Sequence, residues 1–182
     1  MSKILNWLNN SSKSSKFDDW ISQYHGALYK HALWMVGSRD VAQEMTQEAF
    51  FQAWQSIDSL KDEDKVLPWL LTILRRTVYR EQRCQYRNAE TQEELKKLDT
   101  ETVQADAFTL LDIYNTLENL SPKLRDAFLL YHLHGYSYEE VGVLLEIPTG
   151  TVMSRISRAR EALQKQTNCT NDEKVIRLKQ VK

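Results

Sequence analysis

Apolar residues in this chain return every third or fourth position over long stretches, and only five Gly and three Pro in 182 residues interrupt that rhythm. Helical spacing with so few breakers, and almost no alternating β-branched runs, restricts the chain to helices joined by short connections. The expected fold class is therefore all-α, with no sheet. Hydrophobic residues at 42% and charged residues at 27% supply enough apolar surface for real cores and exclude a wholly disordered chain. The length admits either one ordinary domain or two small helical ones.

Charge patterning chooses between them. A net charge of −1 argues at first against a nucleic-acid partner, because phosphate contacts need a positive surface. The distribution reverses that impression. Five Arg stand against Glu81 alone between residues 75 and 87. From 88 to 107 six acidic residues outnumber Lys96 and Lys97, and from 151 to 165 Arg155, Arg158, Arg160 and Lys165 face only Glu161. Two basic elements separated by an acidic stretch predict two small helical domains, at 14–87 and 108–166. A flexible acidic linker, 88–107, joins them, and a frayed tail, 167–182, follows.

Other classes of function find little support. Cys84 and Cys169 lie far apart in no metal-ligand spacing, so neither a disulfide framework nor a zinc site is expected. No pair among His25, His31, His132 and His134 has the i, i+4 spacing of a helical metal site, which makes them structural or surface residues. No metal, cofactor or small-molecule substrate is expected. The opening MSKILNWLNNSSKSSK holds only a short apolar patch broken by Asn6, and no run approaches membrane-spanning length, so a cytoplasmic location without membrane insertion is the expectation.

The first basic element reads as a helix entered at Val66-Leu67-Pro68, where proline's missing N–H has no helical partner to lose. Leu67, Leu70, Leu71, Leu74 and Val78 form a stripe for burial, while Arg76, Arg80, Arg83 and Arg87 repeat the same rhythm on another face. Tyr79 and Tyr86 offer planar rings beside that ridge, on which an unstacked base can rest while guanidinium groups hold phosphates. The bland alternative is a solvated basic face.

Upstream, Asp40 to Ile57 reads as a second amphipathic helix, with Ala42, Met45, Ala49, Ala53 and Ile57 on its stripe and Phe50 and Trp54 widening it. Its other face mixes Gln43, Glu44, Gln47 and Glu48 with the ring of Phe51. Such a surface suits protein docking, and fits a solvated helix face equally well.

The most specific local signal lies further on. Leu124, Ala127, Phe128 and Tyr131 form an apolar stripe, the chain breaks at Gly135, and Ser137 with Glu140 three residues later makes a capping box. Tyr138, Val141, Leu144 and Leu145 face inward on the helix so capped. Pro148 and Gly150 mark a tight turn, and Thr151 opens a last helix with Val152, Ile156, Ala159 and Leu163 buried. That arrangement is a helix-turn-helix. Thr151, Ser154, Arg155 and Arg158 occupy the opposite face, hydroxyls near the N-terminus followed by guanidiniums, as a major-groove helix requires. A packing hairpin is the competing reading.

Residues 120–163, LSPKLRDAFLLYHLHGYSYEEVGVLLEIPTGTVMSRISRAREAL, closely resemble region 4 of extracytoplasmic-function sigma factors, and PTGTVMSRISRAR is similar to that region's Pro-x-Gly-Thr-Val-x-Ser-Arg-x-x-Arg-Ala-Arg signature. RDVAQEMTQEAFFQAW, residues 39–54, resembles the region 2 helix that docks on the polymerase clamp. PWLLTILRR and the arginine-rich sequence after it resemble the promoter-melting part.

The resemblance implies two small helical domains, a region 2 bundle and a region 4 helix-turn-helix. It implies that Asp40, Gln43, Glu44, Gln47, Glu48 and Phe51 bind core RNA polymerase at its clamp, with the flap as a further contact. Arg75, Arg76, Tyr79, Arg80, Arg83 and Arg87 would hold and melt the minus-10 DNA. Pro148, Thr149, Gly150, Thr151, Ser154, Arg155 and Arg158 would contact the minus-35 element. The acidic linker would thread past polymerase, an anti-sigma factor would hold the protein inactive, and no catalytic residue is implied.

Five positions depart from the family's usual residues: Arg76 for Asn, Arg80 for Asp, Met153 for Lys, Gly142 for Ala and Glu146 for Gly. The first two add to the basic ridge and Met153 removes an expected phosphate contact. The last two imply a less stable helix and a differently built turn. Two rivals remain: a stand-alone helix-turn-helix repressor or activator, which would bind duplex DNA unaided at a two-fold symmetric site, and a protein that sequesters another regulator.

Overall fold

The computed structural model describes residues 2–89, 117 and 119–167, with side chains described for 13–84, 117 and 119–164. The acidic linker, Tyr86 and Arg87 as side chains, and the tail beyond Thr167 lie outside the described residues. Every regular element described is helical: α1, Ser2–Val36; α2, Arg39–Gln55; α3, Val66–Ala89; α4, Pro122–His132; α5, Tyr138–Leu145; and α6, Thr149–Thr167. Short 3-10 turns at Ile57–Ser59 and Glu63–Lys65 link α2 to α3. The chain divides into two compact units, one holding α2, α3 and α1 as far as Ala32, the other holding α4–α6 with Leu33–Ser38, the last turn of α1 and the two residues after it.

In the first unit, α2 and α3 pack against each other, and α1 meets α2 through aromatic contacts. Leu70, Leu71, Leu74 and Val78 of α3 are wholly buried, as their spacing predicts, each contributing on the order of 1.5–3 kcal/mol. Leu67 is only half-buried. Against them lie Ala42, Met45, Ala49, Phe50 and Ala53 of α2 and Leu28, His31 and Ala32 of α1. Phe17 joins α1 to α2 through edge-on contacts with Phe50 at 6.2 Å and Trp54 at 5.2 Å. Trp54 widens the apolar stripe only as a rim residue, 36% exposed. The helix ends at Gln55, two residues short of Ile57, which begins the following turn half-buried. Lys13 and Lys16 pair with Asp58 and Glu63, fastening the start of the described α1 surface to these turns.

Among its described residues, the second unit holds the three helices α4, α5 and α6. Residues Arg125 to Leu130 of α4 are all buried, a wider belt than the predicted stripe, whose Leu124 and Tyr131 are only half-buried. Gly135, with φ of 76°, makes the break before α5. Val141, Val152, Ile156 and Ala159 complete the core, whereas Leu163 stays half-exposed near the helix end. Among the described residues no helix is long and apolar enough to cross a membrane.

Candidate nucleic-acid and protein interfaces

In the first unit five of the sequence-predicted residues, Glu44, Gln47, Glu48, Phe51 and Arg80, gather on the seam between α2 and α3. Asp40, Gln43, Glu44 and Gln47 are exposed along α2, Glu48 is half-buried, and the Phe51 ring is 57% exposed. A groove of about 380 Å³ lies there, lined by Glu44, Met45, Gln47, Glu48, Phe51, Thr77, Arg80 and Glu81. Its lining mixes residues assigned to protein docking with one assigned to DNA. Arg80 Nη2 reaches Glu48 Oε1 at 3.3 Å, and the Gln52 amide donates to the same oxygen at 2.6 Å. The buried Thr77 hydroxyl lies 3.4 Å from Gln52 Oε1 and donates to the Ile73 carbonyl at 3.1 Å. Arg80, its side chain still 61% exposed, also joins a polar chain that crosses from α3 to α2.

Arg76 and Arg83 keep the exposed positions that the ridge predicts, while Arg75 and Tyr79 are half-buried beside it. Sequence reasoning missed the roles of Gln52, Thr77 and Glu81. Their signal was weak, because each reads as an ordinary polar residue until the two helices are laid side by side.

In the second unit the local chemistry follows the predicted motif closely. Ser137 Oγ accepts from the Glu140 N–H at 3.2 Å, and the Ser137 N–H donates to Glu140 Oε2 at 2.8 Å, so both halves of the capping box form. The backbone and side-chain hydrogen bonds from Ser137 hold the Glu140 carboxyl below its ordinary pKa. At the other end of α5, Glu146 takes a left-handed conformation with φ of 56°, a strain of about 1–2 kcal/mol for a residue with a Cβ. That bend returns the Ile147 N–H to the Gly142 carbonyl at 3.0 Å. A Cβ on Gly142 would meet the Ile147 carbonyl at 3.0 Å, so the bare glycine makes room for the turn.

The last helix begins at Thr149, two residues before the predicted start at Thr151. The Pro148 carbonyl accepts from Thr151 N–H at 2.8 Å and Val152 N–H at 3.2 Å, so Pro148 closes the first turn. Thr149 and Gly150 thereby become first-turn residues, whose amides have no acceptor within the helix and suit a phosphate. Val152, Ile156 and Ala159 are buried on one side; Gly150, Met153, Ser154, Ser157 and Arg158 are exposed on the other, with Thr151 and Arg155 half-buried between them. The Ser154 hydroxyl donates to the Thr151 carbonyl at 3.0 Å.

Arg160 belongs to the fold rather than to that face. Its guanidinium lies 5.6 Å from the Tyr131 ring centre and 3.4 Å from His132 Nε2, fastening α6 to α4. Tyr131 also stacks on Tyr138 at 4.7 Å, and its hydrogen bond raises the pKa of the Tyr138 hydroxyl. His132 packs 4.3 Å from Phe128, whereas His31 is wholly buried in the first unit.

Both units resemble known proteins. Residues 20–88 match the family described as Sigma-70 region 2, and residues 110–163 match Sigma-70, region 4. The chain is 31% identical over 153 residues to the ECF RNA polymerase sigma-E factor of Escherichia coli K12, covering 74% of this chain and 80% of that one. It is 30% identical over 164 residues to the ECF RNA polymerase sigma factor SigW of Bacillus subtilis 168, covering 82% and 88%. Among solved structures, the sigma factor RpoE of Bartonella quintana, in complex with the anti-sigma factor NepR, superposes with a TM-score of 0.77 at 27% identity, covering 86% of this chain and 99% of that one. CnrH in complex with the cytosolic domain of CnrY shares the fold, with a TM-score of 0.67 at 22% identity over 92% and 97%.

Proposed function

The chain belongs to the extracytoplasmic-function sigma factors of the sigma-70 family, which direct promoter-specific transcription initiation, and from that premise we propose how its own residues divide the work. The α2 face of Asp40, Gln43, Glu44, Gln47, Glu48 and Phe51 docks on the clamp of core RNA polymerase. Its exposed aromatic ring is of the kind that protein interfaces enrich. The α3 residues Arg75, Arg76, Tyr79, Arg80, Arg83 and Arg87 hold the minus-10 DNA. A protein that binds only the opened strand favours opening, because its binding free energy offsets an unstacking cost of a few kcal/mol.

The minus-35 element falls to Pro148, Thr149, Gly150, Thr151, Ser154, Arg155 and Arg158. The observation that carries this part is α6 itself: one face is sealed by Val152, Ile156 and Ala159, and the other presents first-turn amides and arginines. Arg bridges guanine O6 and N7 in the major groove, and helix N-termini bind phosphate. Pro148 contributes through the turn it closes. A partner of anti-sigma type fits the same reading, since the RpoE structure is such a complex. Every step is a binding step, and no residue is assigned a catalytic role.

Run-off transcription with purified bacterial core polymerase on a library of genomic fragments tests the proposal. Initiation at discrete sites only when the protein is added is the expected result. Failure to bind core, with tight duplex binding by the protein alone, would sink it and restore the repressor or activator reading.

A further inference from the structure

Met153 stands on the outward face of α6, where neither the fold nor the proposed division of work uses it. Its side chain is 52% exposed, on the same face as Gly150, Ser154 and Arg158. An exposed apolar residue usually needs no explanation, but here it stands in the middle of a surface otherwise made for hydrogen bonds and phosphate.

Direction adds to position. Side chains on a helix lean toward its N-terminus and cover the turn before their own Cα, so Met153 leans over the turn that holds Gly150. Gly150 leaves that turn bare, for nothing stands within 4 Å of where its Cβ would be. The result is an open shelf at the leading end of the helix, with a flexible thioether as one wall.

The chemistry of the wall selects the base. In the major groove only thymine offers a methyl group; guanine, adenine and cytosine offer donors and acceptors that methionine leaves unmatched. Covering those groups without a partner is unfavourable, whereas covering a methyl is favourable. Methionine's unbranched, polarizable chain adapts its shape to such a contact. We infer that Met153 reads the 5-methyl group of one thymine in the minus-35 element, giving this chain a base preference that a lysine at the same position would not supply. This inference rests on the reading of α6 as the groove helix.

The test uses the reconstituted holoenzyme and a promoter recovered by the run-off assay, with each minus-35 thymine on either strand replaced in turn by deoxyuridine, which lacks only the methyl. At one position the substitution should weaken holoenzyme binding on the order of fourfold, the effect expected for one buried carbon. Met153→Ala should bind thymine and deoxyuridine equally at that position, and Met153→Leu should keep most of the preference. Indifference to deoxyuridine at every position overturns the inference, as does a methyl preference that survives Met153→Ala. A Met153→Ala protein with lowered core affinity and unchanged methyl preference also overturns it, and assigns the side chain to a protein contact. Arg155→Ala with Arg158→Ala separates the two levels. If that pair leaves promoter binding intact, the groove-helix reading itself fails; if it weakens binding while deoxyuridine changes nothing, only the methyl contact fails.

Discussion

Helices α3 and α6 each carry arginines away from an apolar core, yet their charge is held in different ways. In α3, Arg80 reaches across the helix seam to Glu48, so part of the cationic character of that helix is set by α2. In α6, Arg160 is drawn inward over the Tyr131 ring, while Arg155 and Arg158 are held by no ion pair among the described residues. The first unit thus links its proposed polymerase face and its proposed DNA face through one carboxylate. The second keeps its proposed DNA face free of ion pairs to other described residues. A count of arginines along a sequence measures neither arrangement, because the neighbours that neutralise them come from other helices.

The largest expected effect tests the autonomy of α6. Replacing Arg155 and Arg158 together by Ala should weaken holoenzyme binding to its promoter by about 1–3 kcal/mol for each guanidinium that bridges a base, with core polymerase affinity unchanged. Parallel titrations of promoter and core check this, and a loss of core affinity would erase the contrast between the units. Next comes Phe51→Ala, expected to lower core affinity by about 2 kcal/mol, roughly thirtyfold, while thermal unfolding stays put because the ring is 57% exposed. Unchanged core affinity would remove the α2 face from the interface.

Ser137→Ala removes the capping box and should lower the stability of the second unit by about 1 kcal/mol, a melting shift of roughly 4–8 °C in a domain of this size. The associated pH dependence has a definite sign. Glu140's pKa is depressed in the folded protein, so its stabilising contribution is present above the unfolded value and is lost as pH falls through the lower, folded value. Glu140→Gln should flatten the acid limb of a melting-temperature profile, and an unchanged limb would contradict the box's role. The smallest effect concerns the seam. A double-mutant cycle between Glu48→Gln and Arg80→Met should return a coupling below about 1 kcal/mol in folding, since both groups are partly exposed. The same cycle read by promoter opening rather than by melting should show whether the carboxylate restrains the arginine during function.

Local signals in the sequence translated well into structure. The Ser137–Glu140 box lies within one helical turn, and the Leu70, Leu71, Leu74 and Val78 stripe needs only the period of one helix, so both were legible without knowledge of any neighbour. The Glu48–Arg80 pair was not, because 32 residues separate partners that only tertiary packing brings together. Helix ends also moved. Ile57 continues the α2 rhythm in sequence but falls in a 3-10 turn, and Thr149 rather than Thr151 starts α6 because the Pro148 carbonyl already accepts the first amides. The pattern in α1 went unread because its buried stripe contains His31, a polar residue where an apolar one marks the rhythm. The belt of burial from Arg125 to Leu130 escaped for the opposite reason: a single amphipathic stripe is too narrow to describe a helix covered on most sides.

The bend between α5 and α6 constrains the routes by which this sequence changes over time. Glu146 holds the bend in a conformation natural to glycine, and Gly142 leaves the gap into which the bent chain's carbonyl projects. The change Gly142→Ala alone would press a methyl against the Ile147 carbonyl, whereas Glu146→Gly alone would relieve the left-handed strain. Of the two single changes, Glu146→Gly is therefore the easier for this bend to accept.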